Sequence, residues 1–171
     1  MANTSQHLER TKSLVGFTVG AVHYAVPTAV VREITPPSDL TQLPHLPHGV
    51  VGVFDHRGHV IPVIDLRMSF GVPVDQNDRR AKWIVVEIGR RWLGLAVDRV
   101  TGVFQVRAEA VRPVPELGPP VEPRNLLGVV THAGTLTFVL DIDAFHAYTL
   151  DPSGSPELPE GGGAELSRRT R

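Results

Sequence analysis

The sequence predicts an all-β protein built from two similar small β-units. Three observations predict it. Most of the chain is rich in Val and alternates between apolar and polar residues, the pattern of half-buried strands. Glycines and prolines break it at short intervals, and the 15 prolines argue against long helices. A stretch of the first half returns, in order, in the second.

The elements follow from the N-terminus. Residues 1–12 hold one large apolar residue beyond Met1, Leu8, and read as a disordered tail. Phe17 and Val19 alternate with polar neighbours, Gly20-Ala21 can turn, and Val22, Tyr24 and Val26 alternate again: a hairpin. Ile84, Val86 and Ile88, a turn at Gly89-Arg90, and the return through Trp92-Leu93-Gly94-Leu95 make another. Short helical turns are expected after Asp65 and Asp141, where an Asp ending a strand can cap exposed backbone N–H groups. Residues 148–171 mix Pro, Gly, Ser and charge, which cannot bury enough surface to offset the entropy of ordering, so a second disordered tail is expected.

The repeat organises the rest. Residues 17–34 resemble 86–103, with Gly20 on Gly89, Val31 on Val100 and Ile34 on Val103. Residues 52–66 resemble 128–142, with Gly52 on Gly128, Gly58 on Gly134, Val63 on Val139 and Asp65 on Asp141. Two units are expected, roughly 13–79 and 80–147. Each has about five short strands, and units of that size usually resolve their exposed edges by curling into a barrel.

Composition excludes several functions. A formal net charge of -1 offers no basic excess for a phosphate backbone, so nucleic acid is not an expected partner. With no cysteine there are no disulfides, no thiolate catalysis and no Cys-based zinc sites. Neither a signal peptide nor an apolar run near the roughly 20 residues of a membrane span is visible, so a cytoplasmic protein with no direct membrane insertion is expected. No serine sits in a nucleophile elbow, and there is no phosphate-binding glycine loop. His45, His48, His56 and His59 are close in sequence, but no Cys or nearby Glu supports them as ligands, and they read as loop and turn residues. No catalytic residue, cofactor or metal is expected. Trp83 and Trp92 fall in strand patterns and read as packing residues.

Four ordered segments carry a resemblance to a known family. The strongest is Pro47 to Arg67, P-H-G-V-V-G-V-F-D-H-R-G-H-V-I-P-V-I-D-L-R. The others are Val31-Arg32-Glu33-Ile34, Gly94-Leu95-Ala96-Val97-Asp98-Arg99-Val100, and Ala108 to Pro115. Together they resemble the CheW family of chemotaxis coupling proteins over about 14–146. The resemblance implies two SH3-like five-stranded barrels around a shared apolar interface. It implies an adaptor, not an enzyme, with two partners: the regulatory domain of a CheA-type histidine kinase and the cytoplasmic hairpin tip of a chemoreceptor. Other CheW-like domains in arrays are further partners it suggests. The length leaves no room for a kinase or receiver domain, so a stand-alone adaptor fits best. One departure stands out: the family's turn Asn is Asp55 here, and the usual apolar residue after it is His56.

The repeat also serves as an internal control. Residues kept in both halves are needed by the barrel: Gly58 and Gly134 as hairpin turns, Asp65 and Asp141 as caps. Charges present in one half only are not required by the barrel; they sit either on a solvated face or on a partner-binding surface. Arg57 corresponds to Ala133 and Glu33 to Gly102. The resemblance places Val31, Glu33, Gly52 and Arg57 at receptor-binding positions, although Val31 and Gly52 also have repeat counterparts. The rival reading is a small β-barrel that binds nucleic acid or a ligand. A nucleic-acid barrel should show a basic face with exposed aromatics, whereas the chain holds only ten aromatic residues, six Phe, two Trp and two Tyr.

Overall fold

A computed structural model describes residues 11–73, 81–115 and 125–150 of the chain. Ten strands fill most of it: β1 (Thr11–Val19), β2 (Val22–Pro27), β3 (Val31–Thr35), β4 (Val50–His56), β5 (His59–Asp65), β6 (Lys82–Ile88), β7 (Arg91–Val97), β8 (Arg99–Arg107), β9 (Leu126–His132) and β10 (Thr135–Leu140). One short helix, α1 (Leu66–Ser69), follows β5, and a 3-10 segment, Ile142–Tyr148, follows β10. The side chain of Asp65 accepts from the backbone N–H of Arg67 and Met68, and that of Asp141 from Asp143. Of the expected tails, residues 1–10 and 151–171 lie outside the described residues. The described structure extends past the expected boundaries at both ends. Thr11 and Lys12 already belong to β1, and Thr149 is buried.

The strands form two five-stranded sheets, in the orders β3-β6-β7-β5-β4 and β8-β1-β2-β10-β9. Each is closed by the segment following its first-named strand. Thr41, beyond β3, exchanges backbone hydrogen bonds with Val53 of β4 at 2.8 and 2.9 Å. Arg112, beyond β8, does the same with Val129 of β9. The result is two SH3-like barrels, here barrel one (β3 to β7) and barrel two (β1, β2 and β8 to β10).

The barrels do not follow the expected division into 13–79 and 80–147. Each takes a hairpin from one half of the repeat and three strands from the other. The reason lies in two connections. Only the 3-10 turn Thr28–Val30 separates β2 from β3, and only Asp98 separates β7 from β8. Neither reverses the chain, so each hairpin runs on into the opposite barrel instead of folding back on itself.

Because of that exchange β1 and β6 are covered on both sides, and both bury four consecutive residues, Leu14 to Phe17 and Trp83 to Val86. Val15, Phe17 and Val19 of β1 meet Ile84, Val86 and Ile88 of β6 in a shared core between the barrels. On its other face β1 sends Leu14 into barrel two, with Ala25, Val106, Val130 and Val139. On its other face β6 sends Trp83 and Val85 into barrel one, with Phe54, Ile61 and Val63. Each fully buried side chain of this size stabilises the fold by about 1.5–3 kcal/mol. Among the described residues no helix is long and apolar enough to cross a membrane.

Candidate functional site: a charged cluster at the mouth of barrel one

The turn between β4 and β5 has two residues, Arg57 and Gly58, with φ of 54° and 82°. Two successive positive values define a type I′ turn, whose twist matches the flanking strands. Ala133 and Gly134 repeat it between β9 and β10 at 48° and 76°. Asp55 fixes the first turn by accepting from the Gly58 N–H at 2.9 Å. The left-handed backbone at Arg57 lifts its side chain into solvent, where it is 77% exposed.

Glu33 reaches this turn from β3. A bulge decides its direction: Val31 pairs with Val86 and Glu33 with Val85, leaving Arg32 as the extra residue. Neighbouring partners on β6 point to opposite faces, so Val31 and Glu33 do as well. Val31 follows Val86 into the shared core, and Glu33 follows Val85 to the mouth of barrel one. There the Glu33 carboxylate meets Nε2 of His56 at 2.8 Å and the guanidinium of Arg57 at 3.5 Å. Arg32 projects separately and pairs with Glu87.

The four residues assigned by resemblance therefore divide. Glu33 and Arg57 come together. Val31 sits on the other face of the same strand. Gly52 is buried beneath the barrel closure, where an added Cβ would lie 2.9 Å from the Thr41 carbonyl oxygen. Its counterpart Gly128 meets the Arg112 carbonyl oxygen in the same way, at 2.6 Å. The repeat keeps this glycine because both barrels close at it.

His56 is the residue the sequence reading missed. Read as an exposed turn residue, it is instead largely covered, with 16% of its side chain exposed, and it binds Glu33 while its ring lies 5.8 Å from that of Phe54. The available signal was its place beside Arg57 in the turn. His59 pairs with His56 across the hairpin but turns its ring onto Trp92, 4.6 Å away. In barrel two His132 replaces His56 and stacks on Phe104, because Gly102 and Ala133 stand where Glu33 and Arg57 would be.

Two closed barrels sharing one apolar face, with a charged cluster at one mouth, define a double-barrel scaffold. The family model for the CheW-like domain matches residues 13–148. The chain belongs to the CheW family. It is 30% identical over 145 residues to the chemotaxis protein CheW of Rhizobium meliloti, covering 84% of this chain and 94% of that protein. It is 33% identical over 108 residues to CheW of Helicobacter pylori, covering 63% of this chain and 66% of that protein. The protein FrzA of Myxococcus xanthus is 33% identical over 118 residues, covering 69% of this chain and 73% of FrzA. The crystal structure of the scaffolding protein TtCheW from Thermoanaerobacter tengcongensis superposes with a TM-score of 0.70 at 26% identity, over 75% of this chain and 88% of that one.

Proposed function

We propose that this chain couples chemoreceptors to a CheA-type histidine kinase by binding both, without catalysing a reaction. The observation that carries the reading is the Glu33–His56–Arg57 cluster, which the second copy of the repeat lacks at Gly102 and Ala133. A barrel evidently closes and folds without those charges, and an exposed pair adds little to stability. At a partner's surface the same charges set orientation and exclude wrong partners. Arg57 would contact the cytoplasmic hairpin tip of the receptor, with Glu33 and His56 holding the charge pattern beneath it.

The kinase contact needs a different surface. Ile34 and Val60 are exposed at 38% and 56%, and their repeat counterparts Val103 and Leu136 at 63% and 49%. Apolar residues on both barrels suit a partner that is itself a CheW-like domain, and two or more such faces gain strength in an array by multivalency. Calorimetry with the cognate kinase regulatory domain tests the reading. A complex that persists at moderate salt is expected, and no detectable heat at tens of micromolar protein would overturn it.

A further inference from the structure

We propose that the open mouth of barrel two is a binding pocket for a flat, uncharged ring with a polar edge, of the phenol or indole kind. The inference stands apart from the adaptor reading, because it rests on a comparison of the two barrel mouths. Barrel one is plugged. Trp92 lies over its end, its ring tilted against that of His59 and packed with Ile61 and Val85, and Glu33 binds His56 at the rim. The repeat fixes the equivalent positions in barrel two, and each carries a smaller side chain. Trp92 becomes His23, His59 becomes Thr135, Ile61 becomes Thr137, Val85 becomes Gly16 and Glu33 becomes Gly102. The backbone register is the same in both: Glu33 pairs with Val85, and Gly102 with Gly16. Five reductions at one barrel end leave a pocket of about 170 Å³.

The walls select the occupant. Phe104 and His132 stack at 3.9 Å with 14° between their planes, a flat aromatic surface on one side. The hydroxyls of Thr101, Thr135 and Thr137 offer hydrogen bonds, His23 and Tyr24 add polar edges, and among the described residues no Lys, Arg, Asp or Glu lines the space. A charged ligand would find no Lys, Arg, Asp or Glu among the described lining residues to pair with, so the ligand is neutral. Gly16 is required at the floor: a Cβ would lie 2.6 Å from the Thr101 hydroxyl and 3.0 Å from the Phe104 ring. Such a ring has two sources, a free small aromatic molecule or a Tyr or Trp side chain of a protein partner, and the chemistry is common to both.

The test titrates the full-length chain, followed by amide NMR, with p-cresol, with N-acetyl-tyrosine amide and with cyclohexanol. Saturating shifts confined to Gly16, Gly102, Thr135 and their neighbours are expected for p-cresol, with cyclohexanol, which is not flat, clearly weaker. If the blocked tyrosine shifts the same amides, a partner's side chain fits; if only p-cresol does, the source is a free molecule. The His23→Trp/Thr137→Ile variant installs the residues of barrel one and should weaken p-cresol binding about tenfold or more. Thr137→Ile alone makes the same comparison should the double variant not fold. Absence of saturable shifts up to about 10 mM p-cresol, or shifts that survive in the folded plugged variant, would overturn the proposal.

Discussion

Arg67 grips Asp98 at both ends of its guanidinium, Nε donating to Oδ1 at 2.5 Å and Nη2 to Oδ2 at 2.6 Å. Asp98 is the single residue at which the chain passes from barrel one to barrel two, and Arg67 stands on α1 of barrel one. The same carboxylate accepts from the Gly20 N–H at 2.6 Å, in the hairpin turn of barrel two. One carboxylate therefore pins three segments, on top of the shared apolar core. Neither residue has a charged equivalent of the same kind in the repeat, where Ala29 and Asp143 stand.

Removing Asp98 leaves a largely covered guanidinium that keeps the Pro73 carbonyl but has lost its carboxylate. Asp98→Ala should destabilise the fold by about 3 kcal/mol, since it takes the carboxylate away from both the Arg67 guanidinium and the Gly20 N–H. Chemical denaturation of the variant beside wild type measures this. A loss within about 0.5 kcal/mol would show that the clamp is solvated and does not join the barrels.

The barrel closures make a second prediction. Gly52→Ala and Gly128→Ala push a methyl group onto a carbonyl oxygen of the closing bridge. Each should cost about 2 kcal/mol or more, because backbone, and not a flexible side-chain end, must move. Gly58→Ala meets nothing within 4 Å and suffers only its φ of 82°, which predicts a smaller loss of about 1 kcal/mol. Thermal melts should place both closure variants below Gly58→Ala.

Burial raises the Tyr24 phenol above its ordinary value of 10.0, since the ionised form loses hydration between the barrels. A folded-state value above the unfolded one means that the unfolded chain releases this proton first. Its contribution is complete below the unfolded value and is lost as pH rises through the folded one. Melting temperature should therefore fall as pH climbs past 10, and Tyr24→Phe should fall less steeply over that window. Parallel slopes for the two proteins would remove Tyr24 as the cause.

The hairpins around Gly20 and Gly89 are legible in the sequence because their chemistry is local: alternation with period two on each side of a glycine that accepts positive φ. The pairing of the halves was not. Alternation tells that a strand has two faces but not which strand lies beside it, and the exchange depends on the straight passages at Thr28–Val30 and Asp98. The bulge at Arg32 was equally hidden, so Val31 and Glu33 looked like one surface when they face opposite ways. His56 found its partner 23 residues away across the barrel end, a distance no turn pattern reports.

That cluster gives the prediction on which the coupling reading depends. Glu33 is held by His56 at 2.8 Å, while Arg57, at 3.5 Å and 77% exposed, is the charge presented outward. An exposed pair of this kind contributes less than about 1 kcal/mol to folding, so Arg57→Glu should keep the wild-type circular dichroism and melt within a few degrees of it. The reversal puts two carboxylates side by side and offers a receptor helix the wrong sign, which should weaken receptor binding about tenfold or more. Direct binding to the kinase domain, which the proposal places at the apolar positions Ile34, Val60, Val103 and Leu136, should change little. Restoring an interaction with Glu33 through Arg57→Lys should recover part of the receptor affinity, since the charge returns without the planar fork. Receptor affinity, kinase affinity and the melting curve are measured on the same preparations. If Arg57→Glu folds normally and binds receptor as tightly as wild type, Arg57 is a solvated charge and the receptor face must be sought elsewhere on the two barrels.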